Sequence, residues 1–257
     1  MRDWAKNLLS PRARERVSGA PTSMNGASSS YLWWNLRYGK RLTGLSITLE
    51  VARRPDLDHL VIFGLQAAFI KPGVGSCKLG LQHDPRFPDR GAVNWAGYNV
   101  DRDELEGTPP LLPSAIDDVA TRDYPWREGT RYRIAIERGE ERLDGWFPWT
   151  GSVTDRDTGE RTVVREIVSA SPYLRAPVTF VTSYAPCDGP PVEARWSDPT
   201  AVSVGGGLKD VRSMRVDYQR YVAGGCSNTD SSVDRSTFMQ RTGQSRTTRP
   251  GRTIRIG

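Results

Sequence analysis

From Tyr31 onward the chain repeats a two-residue rhythm of apolar and polar side chains, and this constrains the fold most. Leu45, Ile47, Leu49 and Val51 alternate with Ser46, Thr48 and Glu50, and Tyr132, Ile134 and Ile136 with Arg133, Ala135 and Glu137. Successive side chains of a strand point to opposite faces, so this period predicts strands with one buried face. The same signature predicts strands over 60–66, 78–83, 92–98, 162–168, 178–184, 192–196, 214–218 and 253–256. Turn clusters separate them, among them Pro72-Gly73, Asp157-Thr158-Gly159, Asp188-Gly189-Pro190-Pro191 and Gly205-Gly206-Gly207. No segment after residue 20 holds a 3.6-residue period for 12 residues, and no internal repeat is visible. The expectation is an all-β sandwich or barrel rather than a propeller or solenoid.

The chain has 257 residues, enough for one large domain, and its 8 Trp, 9 Tyr and 6 Phe can fill a core. Residues 1–30 read as a flexible N-terminal lead, because 20–30 is rich in Ser, Gly, Pro and Asn; residues 31–257 read as the single sandwich domain. No apolar run approaches the roughly 20 residues of a membrane helix, so no membrane partner is expected. The charged first 19 residues contain no apolar core of a secretory signal. As given, the chain reads as cytoplasmic or as a secreted protein without its signal.

Net charge is +6, and the stretch 241–257 carries five Arg and no acid; subtracting those five leaves +1 for the other 240 residues. No cationic cluster is interleaved with aromatics, so nucleic acid is not an expected partner. Cys77, Cys187 and Cys226 fit no zinc spacing. Cys187 and Cys226 sit in loop-like sequence and are the expected disulfide in an oxidising compartment, while Cys77 opens an apolar segment and reads as buried. Asp155-Arg156-Asp157-Thr158-Gly159 echoes the start of a calcium loop without its remaining ligands, and reads as a hairpin turn. No cofactor is expected.

A set of short motifs in a fixed order carries a resemblance. They are Phe63-Gly64-Leu65-Gln66, Ala92-Val93-Asn94-Trp95-Ala96-Gly97-Tyr98, Tyr124-Pro125-Trp126-Arg127-Glu128-Gly129-Thr130-Arg131-Tyr132, Glu193-Ala194-Arg195-Trp196 and Arg215-Val216-Asp217-Tyr218. This order resembles a bacterial family of uncharacterised extracellular proteins with a concanavalin-like double-sheet sandwich, whose members are often expected to associate with carbohydrate. The resemblance implies a jelly-roll sandwich of two antiparallel sheets.

Alternation also places candidate ligand residues. With Phe63, Leu65, Leu79, Leu81, Val93 and Trp95 inward, Gln66, Lys78, Gln82, Asn94 and Tyr98 face the other way. Amides both donate and accept, and beside aromatic rings they suit sugar hydroxyls and CH surfaces. The ligand-binding set expected on the concave sheet is Gln66, Gln82, His83, Asn94, Trp95 and Tyr98, for a carbohydrate or other small polar ligand. A rival expectation is a small-molecule enzyme (hydrolase, lyase or cyclase) with His83 as acid/base group beside Asp84. A third is a partner-binding module with no small ligand. Trp146-Phe147-Pro148-Trp149 offers a further exposed aromatic candidate, and the Pro-rich stretch 101–122 is expected at the rim of a cleft.

Overall fold

The computed structural model describes residues 15–36, 41–55, 58–71, 73–142 and 144–257. Pro72 of the predicted turn lies outside them. Sixteen strands run in chain order: β1 Ser28–Trp34, β2 Leu42–Arg53, β3 Val61–Phe69, β4 Val74–His83, β5 Gly91–Asn99, β6 Thr121–Asp123, β7 Arg131–Arg138 and β8 Phe147–Asp155. Then follow β9 Arg161–Ser169, β10 Leu174–Ser183, β11 Glu193–Ser203, β12 Leu208–Asp210, β13 Ser213–Tyr218, β14 Thr229–Asp234, β15 Thr237–Thr242 and β16 Thr253–Arg255. No α-helix occurs among the described residues.

Every pairing is antiparallel, and the pairings sort into two sheets. The front sheet has the order β16-β13-β1-β10-β3-β4-β5-β6. The back sheet has the order β14-β15-β11-β2-β7-β8-β9, with β12 beside the far half of β11. One bridge, Leu174 to Leu42, joins them. The chain is thus an all-β jelly-roll sandwich of two antiparallel sheets. Its core lies between the sheets and includes Leu32, Phe63, Leu65, Leu79, Leu81, Val93 and Trp95 from the front and Leu45, Ile47, Ile134, Trp149 and Trp196 from the back. Edge-on ring pairs lock it, Phe63 against Trp126 at 6.1 Å and Phe69 against Trp149 at 5.8 Å.

One segment differs from the sequence expectation. Residues 15–30, read as a flexible lead, are docked, and 28–30 already belong to β1. Thr22 N donates to Gly224 O at 3.0 Å, Cys187 N to Gly19 O at 2.8 Å and Ser227 N to Arg16 O at 2.7 Å, while Ala27 is fully buried. Small polar residues suited to loops also suit close backbone docking, and composition cannot separate the two. The segment packs on the Cys187–Cys226 disulfide, whose Cα atoms are 5.5 Å apart. Residues 1–14 of the expected lead lie outside the described residues.

The Pro-rich stretch 101–122 does two jobs. Residues 104–108 close the seam between the sheets at the β5 and β9 edges. Leu105 N donates to Gly97 O at 2.8 Å, while Val168 N donates to Glu106 O at 2.8 Å and Thr108 N to Glu166 O at 2.9 Å. Residues 113–121 then run beside β5 and β6, with Trp95 N donating to Ala120 O and Asp123 N to Pro113 O, both at 2.9 Å.

Candidate functional site

The ladder fixes which side chains share the face of the front sheet turned from the core. Gln66 pairs with Lys78, Gly64 with Gly80 and Ile62 with Gln82; Gly80 pairs onward with Asn94 and Ser76 with Tyr98. Directly paired residues project to the same side. Gln66, Lys78, Gln82, Asn94 and Tyr98 therefore share this outer face.

Its centre carries two residues without side chains. Gly64 and Gly80 sit side by side on β3 and β4, and the Phe180 ring from β10 lies over Gly64, where a Cβ would be 2.5 Å from its Cζ. At Gly80, itself buried, a Cβ would lie 2.3 Å from Phe63 O of the neighbouring strand. Lys78 and Gln82 flank it about 7 Å away along the strand, and Asn94 flanks it about 5 Å away across the ladder. The amides of Gln66 and Gln82 make no hydrogen bond among the described residues, although Gln82 is only 4% exposed. Gln66 is half-buried, and neither amide is among the buried side-chain groups left without a partner, so both reach solvent and are open to a ligand.

Asn94 is held in place. Its Nδ2 donates to Thr121 Oγ1 at 2.9 Å, and that hydroxyl donates to Asp118 Oδ2 at 2.6 Å. Asp118 is fixed in turn by the Ala120 N–H at 2.9 Å. The relay uses the amide nitrogen of Asn94 and leaves its carbonyl oxygen as an acceptor. Burial lowers the pKa of the Lys78 ammonium, and Asp118 and Glu104 pull it back up. Its Nζ lies 5.4 Å from the Tyr98 ring centroid. Burial also raises the Tyr98 phenol, helped by Glu104 and Asp118 and opposed by Arg165. Glu104 is ion-paired with the buried Arg165 of β9.

Two expected ligand residues are elsewhere. Trp95 points into the core with no exposure, its ring over Gly151 of the back sheet. It shares parity with Val93 and cannot share a face with Asn94. His83 has the inward parity of Leu79 and Leu81, pairs with Val61 and Gly91, and is 1% exposed. An inward imidazole does not share the outer face with Gln82 and Asn94. Asp84 beside it is engaged by Arg86, with Nη2 to Oδ2 at 2.6 Å.

The face continues through an aromatic strip on β1, outside the expected ligand set. On β1, Trp34 turns into the core and Trp33 outward; Tyr31 and Trp33 have ring centroids 6.4 Å apart. The Arg215 guanidinium sits 5.8 Å from the Trp33 centroid. Lys78 was marked by its parity alone, but nothing in the sequence placed Asp118 and Thr121 against Asn94. Of the other aromatic candidate, Trp149 is core, while Trp146 is 41% exposed and lines a cleft of about 430 Å³ with Glu106, Arg142 and Asp144. Asp155 closes its hairpin by accepting from Asp157 N at 2.8 Å and Thr158 N at 3.2 Å. Among the described residues no three His, Cys, Asp or Glu side chains group to hold a metal.

No family model matches the sequence, and no curated protein matches it. Among solved structures the chain is similar to scytalido-glutamic peptidase with a peptide-based transition state analogue, at 10% identity and a TM-score of 0.45, over 87% of this chain and 98% of that one. It is similar to a prokaryotic β-1,3-1,4-glucanase (lichenase) derived from a mouse hindgut metagenome, at 8% identity and a TM-score of 0.32, over 85% and 78%. It is also similar to lectin II from Ulex europaeus, at 11% identity and a TM-score of 0.27, over 89% and 78%. At such values no neighbour's activity carries over to this chain, and the fold stands on its own strand pairing.

Proposed function

We propose that the chain binds carbohydrate, or a similar polyhydroxylated ligand, on the outer face of the front sheet without catalysing its conversion. One observation carries the reading: amides from three neighbouring strands, Gln66, Gln82 and Asn94, share one face around Gly80, and two of them make no hydrogen bond among the described residues. A sugar hydroxyl donates and accepts at once, which an amide matches and a carboxylate or ammonium does not. The aromatic strip of Tyr31 and Trp33 supplies flat apolar surface for the CH face of a sugar ring. The anchored Asn94–Thr121–Asp118 relay holds one acceptor in place before the ligand arrives, which lowers the ordering cost of binding.

The test is a glycan and polysaccharide panel followed by calorimetry on the ligand found. Replacing Gln66 and Gln82 together by Ala removes two neutral hydrogen bonds of about 1 kcal/mol each, a loss of about 30-fold in affinity. Wild-type affinity in that double variant, or no binding across the panel, overturns the reading.

A further inference from the structure

The outer face extends past its aromatic strip to the β16 edge. Trp33 pairs with Arg215, Arg215 with Thr253 and Ser213 with Arg255, so all five side chains share it. Asn35, just beyond β1, donates its amide to Ser213 Oγ at 3.4 Å and to Thr253 Oγ1 at 3.5 Å. Around these residues opens a cleft of about 770 Å³, whose walls include Lys209, Asp210, Arg212 and Arg255. The three cations are exposed, and none forms an ion pair among the described residues. One carboxylate against three cations leaves the cleft positive.

The basic C-terminal stretch is not uniformly spent on structure. Arg241 is bound to Glu193 at 2.7 Å, and Arg246 lies 3.9 Å from the Tyr218 centroid while donating to Cys226 O and Thr229 O. Arg255 has no such role and opens into the cleft. Eight strands at about 4.8 Å spacing make the face about 34 Å wide, long enough to seat an extended polymer with one end in the cleft.

We propose that this cleft receives the anionic substituents, carboxylate or sulfate, of a polysaccharide laid across the outer face, so that the ligand is an acidic polysaccharide. The inference rests on the carbohydrate reading above and adds the ligand's charge. The distribution of cations favours a sugar polymer over nucleic acid. A phosphate at every residue calls for cations all along the groove, whereas here three line the cleft at one end and Arg175 of β10, paired with Ala68, stands alone near the middle of the face. The one lysine at the other end, Lys78, already lies in the field of Asp118 and Glu104.

The experiment measures binding of polygalacturonate, heparin, a neutral glucan and a DNA duplex at low salt. It uses the wild type, the variant Lys209→Ala/Arg212→Ala/Arg255→Ala and the variant Gln66→Ala/Gln82→Ala. The expected result is that at least one acidic polysaccharide outbinds the neutral glucan and weakens as salt rises. The triple variant then loses about tenfold in affinity for it, the sum of three partly screened surface contacts, with unchanged melting because all three residues are exposed. The glutamine variant weakens neutral and acidic sugars alike. A triple variant that binds the acidic polymer as wild type does, or a neutral glucan bound as tightly as the acidic ones, overturns the inference and leaves the carbohydrate reading standing. DNA bound as tightly through the same three residues overturns the ligand class, and no polysaccharide bound at all removes both proposals.

Discussion

Replacing Cys187 and Cys226 together by Ser opens a covalent loop whose value can be worked from its length. The two are 39 residues apart, and β11, β12 and β13 lie within the loop they close. In the chain-entropy treatment, closing a loop of about 40 residues removes about 13 cal/mol/K from the unfolded chain, or about 4 kcal/mol at 25 °C. For a domain of this size each kcal/mol moves the melting temperature by roughly 2–4 °C, so the drop is about 8–16 °C. The loss is not spread evenly. Cys187 N donates to Gly19 O at 2.8 Å, Gly19 N to Asp188 Oδ1 at 3.0 Å and Asn228 Nδ2 to Cys187 O at 2.6 Å. Residues 16–24 are therefore the first to open, and their amides gain exchange before the sheets do. Cys77 does not confuse the measurement, since it is fully buried and burial pushes its thiol pKa far up. Calorimetric melting with hydrogen exchange reads both effects. A melting change below about 3 °C, or 16–24 still as protected as the core, refutes the reasoning.

Gly151→Ala drives a Cβ to 2.5 Å from the indole of fully buried Trp95, an overpacking that costs about 1–3 kcal/mol. Gly97→Ala meets the flexible ends of Ile167 and Leu105 at 2.6 and 2.8 Å and costs less; thermal melts that reverse this order contradict the packing. Glu193 resists protonation: burial raises its pKa, but bonds from Arg241 and Arg195 outweigh burial and hold it below the usual value. The stability this gives is present above the unfolded carboxyl pKa of about 4.3 and is lost as pH falls through the lower folded value. Denaturant titrations of wild type and Glu193→Gln should converge on acidification, and a constant gap between them rules this out.

Period-two alternation was enough to place the inner face of β3, β4 and β5, and hence Gln66, Gln82 and Asn94 on the outer one. It failed where burial and polarity part company. β14 reads Thr-Asp-Ser-Ser-Val-Asp and looks like a loop, yet Asp230 is buried because Thr247 and Thr248 satisfy its carboxylate. β8 contains Pro148, which hides a strand, but the proline sits second in it, where the chain tolerates a missing donor. Trp95 has the parity of Val93 and His83 that of Leu81, so the same alternation turns both toward the interior. Asp118 and Thr121 could not be foreseen, since their place depends on how a 20-residue irregular stretch is pinned at both ends. The basic cleft draws Asn35, Lys209, Arg212 and Arg255 from three distant parts of the chain, and only the strand order brings them together.

The stretch from Glu104 to Thr121 belongs at once to the hem of the sandwich and to the shelf that orders Asn94. An occupant touching Asn94 would be felt where β5 and β9 meet, because both ends of one short tether would gain order together. Protection of the Leu105, Thr108 and Val168 amides would then rise on saturation although no atom of the occupant lies near them. Conversely, an insertion that slackens the tether at 109–112 would weaken capture while leaving every contacting side chain intact.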